Sequence, residues 1–244
     1  LLGPLVGRVG GPLLEPEYTG SFLLLAAVSV LAMILLSALR IPPPAAGSGD
    51  GVARPLGEIV RQPTYLVALF GAATGFGAMV LAMTATPLAM VHHQHSLGAA
   101  ATVIQLHVLG MFLPSFFTGS LIARFGVVPI MLAGVALLAG HVLLALSGTA
   151  FSSFASALVL LGVGWNFLYI GGTTLLTTTY TAAERGRAQA ANDLSIFLVG
   201  LAASLSAGAL LEFASWQTLN VLLLPWLALA AAALLWLRFR PAAS

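Results

Sequence analysis

A chain of 244 residues that is 59% hydrophobic and only 7% charged lacks the polar surface of a soluble domain, since such domains carry about 25% charged residues. Its mean hydropathy of +1.04 places it in a bilayer, and a net charge of +2, spread thinly along the chain, gives no basis for binding nucleic acid. The absence of cysteine excludes disulfides, thiolate nucleophiles and Cys metal sites.

Taken in chain order, residues 1–8 read as the tail of a helix that begins upstream. The opening stretch lacks the cationic, apolar and small-residue segments of a signal peptide, in that order. Apolar runs of about 20 residues, the length that crosses roughly 30 Å of hydrocarbon, follow near 20–39, 65–91, 99–123, 127–148, 152–179, 189–211 and 217–237. The predicted fold is all-α, a polytopic membrane helix bundle of about seven transmembrane helices. Residues 41–63 open on Ile41-Pro42-Pro43-Pro44 and run through Gly47-Ser48-Gly49-Asp50-Gly51. A polar Pro/Gly/Ser connection of that length is the kind that joins separately packed parts. The organisation expected is therefore 1–40 as a helix remnant plus one transmembrane helix, 41–63 as linker, and 64–244 as a six-helix transmembrane unit.

The second run carries Pro87, which predicts a kink near its outer end. Along the same run Met79, Met83, Thr86 and Met90 share a helix face. Methionine suits an adaptable binding surface as well as a packed core. The loop that follows holds His92, His93 and His95, residue types able to bind a transition metal; no carboxylate accompanies them, and no metal site is predicted. His107, in the outer half of the third run, is a candidate for a proton relay or, alternatively, a neutral histidine bonded to a neighbouring helix. His141 in the fourth has no polar companion within a turn.

In the fifth run Asn166, Tyr169 and Thr173 lie at i, i+3 and i+7 on one face, flanked by Trp165 and Thr177. Polar groups in the bilayer core tend to face the bundle interior or a water-filled cavity. This stripe is a candidate substrate pathway, with interhelical hydrogen bonding as its other use. Glycines interrupt the second run at Gly71, Gly75 and Gly77 and the fifth at Gly162, Gly164, Gly171 and Gly172. Those two runs open consecutive triplets, and paired interruptions in repeats mark either a transport pathway or close helix packing. Asp193, beside Asn192, is expected in the first turn of the sixth helix, where the helix N-terminus stabilises an acid. There it would pair with Arg124, Arg185 or Arg187 when the cytoplasmic side closes.

Eight of the nine arginines fall on alternate connections. Arg40, Arg54 and Arg61 follow the first run, Arg124 the third, Arg185 and Arg187 the fifth, and Arg238 and Arg240 the seventh; Arg8 alone lies on the other side. Short Arg-rich loops stay in the cytoplasm, so these connections and the C-terminus are predicted to be cytoplasmic, in a multi-pass protein of the cell membrane.

The third run ends in Gly119-Ser120-Leu121-Ile122-Ala123-Arg124-Phe125-Gly126. This resembles the loop motif Gly-x-Leu-Ala-Asp-Arg-x-Gly of the major facilitator superfamily, matching at Gly119, Leu121, Arg124 and Gly126, with Ala123 in the Asp position. Ala183-Glu184-Arg185-Gly186-Arg187-Ala188 is similar to the cytoplasmic Glu-Arg-Gly-basic-Ala loop of the same superfamily. The resemblance implies the C-terminal six-helix half of a twelve-helix bacterial inner-membrane transporter, preceded by the last helix of the N-terminal half. It implies a small-molecule substrate moved by alternating access, no cofactor, and gating roles for Gly119, Arg124, Gly126, Glu184 and Arg185. The missing N-terminal helices of the same protein would be the partner. With a proton as the candidate coupling ion, the lack of a central carboxylate assigns the coupling acid to that missing half.

No P-loop, Gly-x-Ser-x-Gly elbow, metal quartet or catalytic carboxylate pair occurs, so no enzyme is expected. A seven-span receptor would share the topology, although the absence of lysine excludes a retinal Schiff base. The long linker after a single span and the two loop motifs favour transport.

Overall fold

In hydrocarbon the backbone cannot hydrogen-bond to solvent, so a spanning segment must satisfy its own N–H and C=O groups, and apolar runs of this length become helices. The computed structural model describes residues 9–16, 18–39 and 53–240. The expectations for residues 1–8, Arg40 and the Pro/Gly part of the linker lie outside the described residues. The chain packs as two units, Leu1–Asp50 and Gly51–Ser244. In the first, a single 3-10 turn, Gly11–Leu13, precedes α1 (Thr19–Ser37), of which only Gly20 and Ser21 are buried.

The second unit contains α2 (Leu56–Val60), α3 (Pro63–His92), α4 (Leu97–Phe112), α5 (Ser115–Phe125), α6 (Val127–Leu146), α7 (Phe151–Leu176), α8 (Arg185–Phe213), α9 (Trp216–Val221) and α10 (Leu223–Phe239). With α4–α5 and α9–α10 each forming one crossing, seven spans among the described residues are long and apolar enough to cross a membrane. Three expectations need adjusting. The third span is not one helix but breaks at Leu113-Pro114, because proline has no N–H to continue the ladder. The sixth helix starts at Arg185, so Asp193 sits in its third turn and not its first. The end of the expected linker is folded, with α2 formed inside it and Ile59 fully buried. Helix α3 runs on through Pro87 to His92.

The first spans of the two triplets, α3 and α7, form the centre. Each has 61% of its most apolar stretch buried, against 17–39% for the other spans of this unit. They exchange neighbours: α7 packs on α3 and on α4 and α6 of the first triplet, whereas α3 packs on α8 and α10 of the second. Glycine permits the tightest of these seams. A Cβ on Gly162 would lie 2.6 Å from the His107 carbonyl oxygen and 2.8 Å from the Met111 nitrogen of α4, and one on Gly172 would lie 2.8 Å from the Ala68 oxygen of α3. Backbone cannot yield as a flexible side chain can, and helices approach this closely only through small residues.

Candidate functional site

Four helices of the second unit bring aromatic rings together in one continuous row. Trp165 and Tyr169, one turn apart on α7, stack with centroids 5.1 Å apart and planes 12° from parallel. Phe112 at the end of α4 meets Trp165 edge-on at 6.3 Å. On the other side Phe76 of α3 lies 6.0 Å from Tyr169, and Phe197 of α8 closes the row edge-on to Phe76 at 5.7 Å. Met79 and Met111 are buried against Trp165, with Met83 packed beside them. The Trp165 Nε1–H is buried without a hydrogen-bond partner among the described residues. Such a row of rings suits stacking against a flat aromatic ring.

Of the residues singled out in sequence, Trp165, Tyr169, Met79 and Met83 meet at this wall. Thr173 donates to the Tyr169 oxygen at 2.9 Å within α7, and buried Thr86 donates to the Ala82 oxygen at 2.6 Å within α3. Phe76, Phe112 and Phe197 were missed. Each is a phenylalanine within an apolar run, where it reads as core or lipid contact, and only the packing of four helices aligns them.

Asn166, fully buried, is committed to the break between α4 and α5. Its Nδ2 donates to the Met111 oxygen at 2.8 Å and to Ser115 Oγ at 2.7 Å, and its Oδ1 accepts from Thr118 Oγ1 at 2.7 Å. Without the break, the Met111 carbonyl would accept from the Ser115 N–H four residues on; Asn166 satisfies it from α7 instead. His107 is likewise held, its Nδ1 2.8 Å from the Leu158 carbonyl of α7.

The loop motifs lie apart from the wall. Gly126, with φ +88, ends α5 in a conformation that suits glycine. Arg124 is exposed with its guanidinium over the Phe125 ring at 5.1 Å, and Gly119 has open space where a Cβ would stand. Glu184, at the N-terminus of α8, is buried and takes Arg54 Nε and Nη2, each at 2.7 Å, on its two carboxylate oxygens. It also accepts from the backbone nitrogens of Arg54 and Thr181, both at 2.9 Å. The Arg54 hydrogen bonds, followed by that of Thr181, hold the Glu184 carboxyl well below the usual carboxylate range against the opposing effect of burial, and the same contact raises Arg54. Arg54 and Gln62 both donate to the Thr179 carbonyl, at 3.0 and 2.9 Å, fastening the chain ahead of α3 to the α7–α8 loop. Among the described residues this is the one ion pair. Arg185 is exposed. So is Asp193, which accepts from Asn192 Nδ2 at 3.0 Å.

Residues 68–244 match the family model of the Major Facilitator Superfamily. The chain is 42% identical over 254 aligned residues to a riboflavin transporter, RfnT, of Brucella anthropi, covering 99% of this chain and 63% of that protein. It is 32% identical over 225 residues to an uncharacterized MFS-type transporter, YdeG, of Bacillus subtilis, covering 85% of this chain and 51% of that protein. A second Bacillus subtilis protein of the same description, YddS, is 32% identical over 224 residues, covering 84% and 50%. The chain thus spans between half and two thirds of the length of these relatives.

Proposed function

The chain belongs to the major facilitator superfamily, and from that membership we propose that the protein is a secondary transporter that carries a flat aromatic solute across the membrane by alternating access. Riboflavin, named for the relative from Brucella anthropi, is the candidate solute. The observation that carries this reading is the row Phe112, Trp165, Tyr169, Phe76 and Phe197, contributed by four spans.

A ring system laid on this row exchanges water for aromatic contact, each stacked pair contributing about 0.5–1.5 kcal/mol beyond its buried area. Met79 and Met83 fill in around the ring and adjust to it, because an unbranched thioether repacks readily. The row supplies one wall of a site near the middle of the membrane. The other half of the transporter supplies the facing wall, and rocking of the halves opens the site to one side and then the other. In this reading the Arg-rich side is cytoplasmic, Gly119, Arg124 and Gly126 belong to its gating loop, and Arg185 and Asp193 are the charges available for pairing when that side closes. The proton is the candidate coupling ion, with its acid in the other half.

The test is riboflavin uptake by cells expressing the full-length protein. Loss of one stacked ring in Trp165→Ala or Tyr169→Ala is expected to raise KM about tenfold, as roughly 1.4 kcal/mol of binding does. Tyr169→Phe keeps the stack and should stay near wild type. Uptake unaffected by both alanine variants would remove the wall from the pathway, and transport of non-aromatic solutes only would remove the solute class.

A further inference from the structure

Two neighbouring residues of α7 serve different contacts. Trp165 gives its ring to the aromatic row, and Asn166 turns its amide to the break between α4 and α5. Both contacts converge on Met111 and Phe112. Met111 is buried against the Trp165 ring, and Phe112 meets that ring edge-on at 6.3 Å. A peptide unit is planar, so the Met111 carbonyl and the Phe112 N–H belong to one rigid plate. The Asn166 Nδ2 bond to that carbonyl at 2.8 Å fixes the tilt of the plate from which Phe112 projects.

Helix α4 is pinned as far as this plate and loses its own support there. The glycine seam at Gly162 holds it to α7 at the Met111 nitrogen. The ladder then ends with the Leu113 N–H on the Leu109 carbonyl at 2.9 Å, Pro114 has no N–H, and the Phe116 N–H turns to the Leu113 carbonyl at 3.4 Å. The last carbonyls of a helix need partners from elsewhere, and Asn166 brings one from α7. Burial of α5 does little to brace the break, since Thr118 alone of its residues is buried. The Thr118 hydroxyl and Ser115 Oγ are themselves bonded to the Asn166 amide, each at 2.7 Å. One fully buried amide thus holds the last turn of α4 and the first of α5, next in sequence to the Trp165 ring. We propose that Asn166 is a positioning residue for the aromatic row, which does not touch solute but sets the angle at which Phe112 meets Trp165. Its consequence for transport rests on the row being the solute's wall; the geometry does not.

The test uses fluorine NMR of the full-length protein labelled with fluorotryptophan, the Trp165 resonance being assigned by its loss in Trp165→Phe. Phe112→Leu removes the edge-on ring and shifts that resonance. Asn166→Ala is expected to shift it in the same direction, and to add nothing once Phe112 is leucine, because residues that act as one unit are not additive. Arg54→Ala, which breaks the ion pair with Glu184, should leave the resonance in place and so separates positioning from a general loss of stability. In uptake assays Asn166→Ala should raise the riboflavin KM about threefold with kcat unchanged, as partial loss of one aromatic pair does. Asn166→Leu, close in volume, repeats both measurements if the alanine variant does not fold. A Trp165 resonance unmoved by the Asn166 substitution, or moved as far without the Phe112 ring as with it, overturns the proposal. So does an Asn166 variant that lowers kcat alone while Trp165→Ala raises KM. If Trp165→Ala leaves uptake untouched, the solute reading of the row fails and the resonance alone decides on Asn166.

Discussion

Glu184 is the most heavily bonded side chain of the loop that joins α7 to α8, and its environment makes its two partners unequal to lose. Arg54→Ala leaves a buried carboxylate without its cation, whereas Glu184→Gln keeps the shape and removes the charge. Thermal stability in detergent is expected to fall in the order wild type, Glu184→Gln, Arg54→Ala. The pH dependence has a definite sign. A carboxyl whose folded pKa lies below its ordinary 4.5 stabilises the fold fully at neutral pH, and that contribution drains away as pH falls below 4.5 toward the depressed folded value. Wild type should therefore lose more stability than Glu184→Gln over an acid titration followed by differential scanning fluorimetry. Glu184 itself stands out in the sequence through its motif. Arg54, 130 residues earlier, does not, because no local pattern relates two side chains that meet only after folding.

At the scale of elements, the break between α4 and α5 and the glycine seams make separable predictions. Asn166→Ala strands the Met111 carbonyl and removes the donor to Ser115 Oγ, while Thr118 keeps its bond to the Pro114 carbonyl, an effect of about 1–2 kcal/mol for hydrogen bonds between membrane helices. It should lower the melting temperature even where substrate is absent. Gly162→Val forces a branched side chain against the α4 backbone and should destabilise by about 1–3 kcal/mol. Gly119→Ala meets nothing within 4 Å, and it should be neutral or gain up to about 1 kcal/mol of helix propensity. Circular dichroism melts of the three variants distinguish these outcomes. Length and hydropathy find the spans to within a few residues. They do not find the break in the third, since Pro114 sits inside an unbroken apolar run and the group that compensates it arrives from α7. The polar stripe on α7 is legible as periodicity, but whether each member faces solute or a neighbouring helix depends on which helices adjoin it.

For the molecule as a whole, the alternation of arginines predicts sidedness, and the chain's lack of cysteine makes that easy to measure. Single cysteines introduced as His92→Cys and Ala182→Cys, both at exposed positions, should react with a membrane-impermeant maleimide from opposite faces, His92→Cys in intact cells and Ala182→Cys only after permeabilisation. Labelling of both from one side would require an even number of crossings between them and would contradict the seven-span order. Composition and motifs are enough to place the chain in its family. The exchange of neighbours between triplets and the aromatic row are products of tertiary packing and have no signature along a single run. The clasp between Arg54 and Glu184 also has a history during synthesis. With 130 residues between them, a ribosome working at about 5–20 residues per second delivers the carboxylate roughly 7 to 26 s after the guanidinium. For that interval Arg54 is a free cation beside a nascent span, the form in which an arginine directs the orientation of insertion. When its partner emerges that charge is paired with the buried Glu184 carboxylate, so a side chain that is only a solvated cation on the unfinished chain becomes a fastener of the finished one.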